Sequence, residues 1–237
     1  MPRHLRRNPP DSRALQRIQD PAAHAGLTDP GPFQVADRVC LWSPWACHYT
    51  TTRDFGNVGG VAYHNNCGPT AVTNLICMLE NRLGTRAGPL ADPRALYDRI
   101  ARYGVKHLFF VNSSHPLFHG SSDLRAGSWV RRMCRKLLGL RARIRPHLLR
   151  EKPLLRAIRS GALVYLMLWN HPVYRTHHLL GYGYVRLRSQ STGRVKTYIL
   201  VSDGHVPAPR YLDLDTARGA FYQVSFPTLD PPAPPET

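Results

Sequence analysis

The chain has 237 residues, 43% of them hydrophobic, and its 32 basic against 15 acidic residues give a formal charge of +17. That length suits one domain with a full core and tails, and no apolar run of about 18 residues is present that could span a membrane as a helix. Five cysteines at irregular spacing exclude a disulfide framework, and no paired ligand spacing accompanies Cys40, Cys47 and His48, so neither metal nor cofactor is expected.

Residues 1–32 are rich in Pro, Arg, Ala and Asp without periodicity, and residues 227–237 are Pro-rich. Both are expected to be disordered tails around a domain at 33–226. The charged N-terminus has no apolar stretch behind it, so no Sec-type signal peptide is read and the cytoplasm is the default location. Between Phe33 and Val61 the segment Val39 to Trp45 is apolar and is expected to pack near the helix that follows, without a definite form; Trp42 and Trp45 belong to it.

Tyr63-His64-Asn65-Asn66-Cys67-Gly68-Pro69-Thr70 is a polar turn running into apolar residues at 71, 72, 75, 76, 79 and 83, the one-face spacing of a buried helix. Asn66 suits the N-cap, Pro69 the first turn and Gly84 the C-terminal cap. Cys67 then sits at the first helical position. There unpaired amides and the positive end of the helix dipole favour thiolate, which makes it a candidate nucleophile. Cys77, nearly three turns on, is read as a core or boundary residue.

Asp92-Pro93 opens a second helix whose Leu96, Ile100 and Tyr103 face inward before Gly104. A short strand is expected over Val105–Val111, followed by loops holding His115 and His119. Apolar residues at 129, 130, 133, 134, 137 and 138 then define an amphipathic helix capped by Gly139, with its arginines facing solvent. From Arg125 to Arg159 there are twelve basic residues and one acid, Glu151. Such a face could take an acidic partner, nucleic acid or an anionic surface, although no nucleic-acid motif or aromatic interleaving accompanies it, and a solvated face is the plainer interpretation. Arg141–Arg145 reads as an edge strand, and Pro153 opens a short helix stopped by Gly161.

Residues 162–168, 177–187 and 194–201 read as three successive strands, the last ending at Ser202-Asp203-Gly204-His205. A histidine opening the middle strand and a carboxylate closing the next supply a base and its orienting group, in the order Cys67, His177, Asp203. His177 and His178 point to opposite faces of their strand, so His178 stands as the alternative base.

On these motifs the chain resembles the papain-like cysteine peptidases, and among them the bacterial enzymes similar to the bacteriocin-leader-processing, or double-glycine, peptidase family. Asn66-Cys67-Gly68-Pro69-Thr70-Ala71 matches that family's nucleophile helix. His177-His178-Leu179-Leu180-Gly181-Tyr182-Gly183-Tyr184 matches its histidine strand, and Tyr198 to Asp203 its acid strand. The resemblance covers roughly residues 60–84 and 151–225 and implies an α+β fold, with an N-terminal helical half packed on a C-terminal antiparallel sheet. It also implies hydrolysis of peptide bonds in a peptide or protein substrate by a thioester route and the Cys67, His177, Asp203 triad, in a chain expected to be a monomer. The family's oxyanion Gln, six residues before the cysteine, is Val61 here. Asn65 is the preferred substitute donor, with Asn66 and then Gln34 behind it. The same residues would also serve a deamidase or a transglutaminase-like acyltransferase, and without turnover the frame would be a binding module using its Arg-rich face.

Overall fold

The computed structural model describes residues 33–41, 50–83, 92–115 and 120–227. Trp42, Trp45, Cys47, His48, Gly84, His119 and, apart from Pro227, the expected tails at 1–32 and 227–237 lie outside the described residues. The fold is α+β, with four helices and a large antiparallel sheet among those residues.

The strands are β1 (Phe33–Cys40), β2 (Asn57–Val58), β3 (Val61–Ala62), β4 (Phe110–Val111), β5 (Gly120–Ser121), β6 (Arg143–Leu148), β7 (Leu163–His171), β8 (Arg175–Ser189), β9 (Val195–Ser202), β10 (Arg210–Asp213) and β11 (Gly219–Ser225). The helices are α1 (Cys67–Leu83), α2 (Pro93–Lys106), α3 (Asp123–Leu138) and α4 (Glu151–Arg159). The main sheet runs β10-β9-β8-β7-β11-β6, and β1 adds to the far half of β8. β2 pairs with β3 and β4 with β5 as two small hairpin-like ribbons.

β8 organises the sheet. Its first half pairs with β7 through Val164↔Gly181, and its second half pairs with β1 through Cys40↔Gly183. The changeover coincides with a register shift between Gly181 and Gly183. Glycine is required there because a Cβ on Gly183 would lie 2.6 Å from the Val39 carbonyl oxygen, and one on Gly181 2.6 Å from Val164 Cγ2. The segment at 33–41, without a definite form in the sequence, therefore joins the sheet beside the histidine strand.

Directly paired residues of neighbouring strands share a face. His178 pairs with Met167, and Tyr165 with Leu180, which in turn pairs with Ser202. The Ser202 hydroxyl accepts from Asn74 of α1, so this is the face that α1 covers. His177, paired with Leu168, belongs to the opposite face, on which α4 lies through Glu151 to Thr197 and Arg159 to Tyr184. Both faces are covered, and the buried side chains form one continuous cluster from Leu41 to Val224.

Local chemistry explains the helix ends. Asp92 accepts from the Arg94 amide with Pro93 at the first position of α2, and Gly139 ends α3 in the left-handed conformation. α2 runs on through Gly104 to Lys106, past the expected stop at 104, so the expected strand at 105–111 begins as helix, continues as a turn over 107–109, and only Phe110–Val111 is strand. A Cβ on Gly104 would lie 2.7 Å from the Trp129 ring, so that glycine allows α2 to approach Trp129 closely. β6 is the sheet edge, displaced two residues from the expected Arg141–Arg145.

Candidate active site

α1 begins at Cys67, with its first turn buried and the cysteine itself half-buried. The preceding loop is pegged to the sheet by a chain of hydrogen bonds. His177 Nε2–H donates to the Asp203 carbonyl at 2.6 Å, the Thr52 amide donates to the Gly204 carbonyl at 2.7 Å, and Asn66 Nδ2 donates to the Thr52 carbonyl at 3.0 Å. The Asn66 carbonyl then accepts from the amide and hydroxyl of Thr70 in the first turn. Cys67 is thus held against β8 just past the end of β9.

The backbone N–H groups of His178, Gly68 and Cys67 act on the Cys67 thiol. Burial outweighs them and pushes its pKa up, and the nearby Asp123 carboxylate adds to that rise. The helix terminus therefore fails to make Cys67 a resting thiolate, contrary to the reading from helix position alone.

His178 meets the Cys67 thiol through its backbone N–H. It is buried, with Nε2 3.2 Å from Asp123 Oδ1 and Nδ1 3.1 Å from the Tyr165 hydroxyl. The Nε2 proton faces the carboxylate and Tyr165 donates to Nδ1. Burial pushes the Asp123 pKa up, but the hydrogen bond and charge of His178 and the 2.8 Å bond from Trp169 Nε1–H pull it below the usual carboxylate value. Tyr222 fixes the start of α3 by donating to the Asp123 carbonyl at 2.8 Å. The Tyr165 phenol is raised well above its ordinary pKa by burial, then by the charges of Cys67 and Asp123, and stays neutral.

The expected partner of His177 is arranged differently. His177 meets the main-chain carbonyl of Asp203, while the Asp203 carboxylate accepts from the Tyr174 hydroxyl at 2.9 Å and from the His205 and Val206 amides, and lies 3.5 Å from Arg210. Burial lowers the His177 pKa to about 4, against the opposing effect of the Asp203 carbonyl, and His205 and His178 lower it further. His177 is neutral at pH 7, its proton on Nε2.

The amide side chains proposed for the oxyanion are engaged elsewhere. Asn66 is buried and bonded to Thr52, and Asn65, at φ +50°, donates to the Ser113 carbonyl at 3.3 Å. Gln34 pairs with Arg188, ten residues and roughly 30 Å of strand from His178. A different group stands beside the nucleophile. The Ser121 hydroxyl is buried without a hydrogen-bond partner among the described residues, and it packs so closely on Gly68 that a Cβ there would lie 1.8 Å from Ser121 Oγ.

Of the residues singled out in the sequence, the structure brings the His178 backbone to the Cys67 thiol and His177 to the Asp203 main chain, while Asp123, Tyr165 and Ser121, not singled out there, lie beside His178 and Gly68. The one available signal was Asp123, an acid opening an otherwise basic helix. Among the described residues no cluster of three or more His, Cys, Asp or Glu side chains is placed to hold a metal ion, and Cys40, Cys67, Cys77 and Cys134 form no disulfide. No helix among them is long and apolar enough to cross a membrane. Comparison of the chain with protein-family models, with curated proteins and with solved structures finds no match in any of the three.

Proposed function

We propose that this chain is a papain-like cysteine peptidase in which Cys67 is the nucleophile, His178 the base and Asp123 the group that orients it. The observation that carries this is the His178–Asp123 pair at 3.2 Å, set on the α1 face of the sheet with the Cys67 thiol against the His178 backbone. An amphipathic helix that starts at the cysteine and packs on an antiparallel sheet bearing the histidine is the arrangement the sequence resemblance implies.

The Cys67 sulfur attacks a peptide carbonyl as its proton passes by way of the Tyr165 hydroxyl to His178 Nδ1, giving an imidazolium that Asp123 stabilises. His178 returns the proton to the leaving amine as the C–N bond breaks, leaving a thioester. Water activated by His178 hydrolyses the thioester, releasing the acid and restoring the thiol. The Cys67 amide and the Ser121 hydroxyl are the donors for the oxyanion. His177 acts as the peg between β8 and the Asp203–Gly204 turn.

One observation favours the other histidine as base. His177 Nδ1 is an acceptor with no partner among the described residues, whereas both His178 nitrogens are engaged. Assays of C67S, H178A, H177A and D123N on a peptide library test the assignment. Cleavage is expected in wild type, absent in C67S, and reduced by about 1,000-fold in H178A, with D123N intermediate. Full activity in H178A with loss in H177A would transfer the role. Product masses separate peptide cleavage from deamidation or acyl transfer, and no chemistry on any substrate would leave a binding module.

A further inference from the structure

Six exposed cations cluster on α2 and α3: Arg99, Arg102, Lys106 and Lys136 line a groove of about 260 Å³ between the two helices, and Arg125 and Arg132 stand further along α3. Arg125, Arg132 and Lys136, spaced by seven and four residues, form one stripe about 16 Å long on the helix. The stripe lies over an aromatic floor. Arg125 and Arg132 stand 4.9 and 5.8 Å from the centre of the Phe109 ring, Lys136 stands 4.9 Å from that of Tyr103, and His107 packs against both rings.

The aromatic interleaving that the linear sequence hides is therefore present in three dimensions, but cations cover the rings, leaving them to hold charge in place and not to stack on bases. The field of the cluster is felt at His107. Its pKa is lowered by desolvation and then by Arg132, Lys106, Lys136 and Arg125. Among the described residues only Arg102 of the six has a carboxylate partner, Asp98. The cavity of about 400 Å³ beside α4 differs, because its Arg159 and Arg186 are answered by Asp37 and Glu151.

We infer that the α2–α3 groove binds the phosphate backbone of nucleic acid without reading its sequence. A linear trough with cations on both walls suits a chain-like polyanion better than a flat bilayer surface, and nothing in it is arranged to read base edges.

The test is anisotropy of a labelled mixed-sequence single-stranded oligonucleotide with the full chain carrying C67S, so that turnover has no bearing on the outcome. Binding should weaken steeply between about 50 and 200 mM salt. K106Q/R132Q/K136Q should flatten the plot of log K against log salt by roughly 2, and K136Q alone by about 0.7. R141Q/R143Q/R145Q, which removes the same charge from exposed positions elsewhere, should leave the slope unchanged, with circular dichroism melts confirming that each variant folds. No binding at low salt, equal losses in both triple variants, or stronger binding to anionic phospholipid vesicles or polyglutamate than to the oligonucleotide would overturn the inference.

Discussion

At Cys67 two influences oppose each other, and burial prevails over the helix amides, so the resting group is a thiol. Its chemistry then depends on what lies within reach. The buried Ser121 hydroxyl makes no hydrogen bond among the described residues, an arrangement that costs stability unless a ligand uses it. S121A is therefore expected to lower kcat by about 100-fold while leaving the melting temperature unchanged or slightly raised. A fall in both would mark Ser121 as structural. Gly68 follows the same logic, since only a residue without a side chain lets that hydroxyl close on the first turn.

Among the elements, β8 decides which face of the sheet each histidine takes. Gly183 lets β1 continue along the edge where β7 leaves off, and G183A would drive a methyl into the Val39 carbonyl. A loss of about 1–3 kcal/mol is expected, read as a melting point roughly 3–10 °C lower, and an unchanged melting point would refute the tight approach. α1, the three consecutive strands and the caps of α2 and α3 were legible because each has a local cause: periodicity, a capping side chain, or a left-handed glycine. The faces of β8 were not. Every residue from 177 to 185 is buried, so no alternation marks the core side, and the shift between Gly181 and Gly183 breaks the count from the Gly-Tyr motif back to the histidine. Asp123 was hidden for another reason. It lies 55 positions before His178 in the chain and reaches it only because α3 docks on the sheet.

For the whole molecule, the peg at His177 couples folding to pH. Its folded pKa of about 4 lies below the unfolded value of 6.5, so the unfolded chain binds more protons between these values. Stability contributed by the neutral imidazole is fully present above pH 6.5 and is lost as pH falls toward 4, by about 3 kcal/mol in total. Urea unfolding should show a drop of roughly 2 kcal/mol from pH 7 to pH 5, with a flatter profile in H177Q. An identical profile in H177Q would remove His177 from that role.

Transfer of the Cys67 proton toward His178, as proposed, is tested most directly by the pH dependence of Cys67 alkylation by iodoacetamide, with the labelled peptide followed by mass spectrometry. A midpoint above that of an ordinary thiol is expected, with a neutral-pH rate that falls in H178A and D123N but holds in H177A and D203N. A neutral-pH rate that falls in H177A and is untouched in H178A would contradict it.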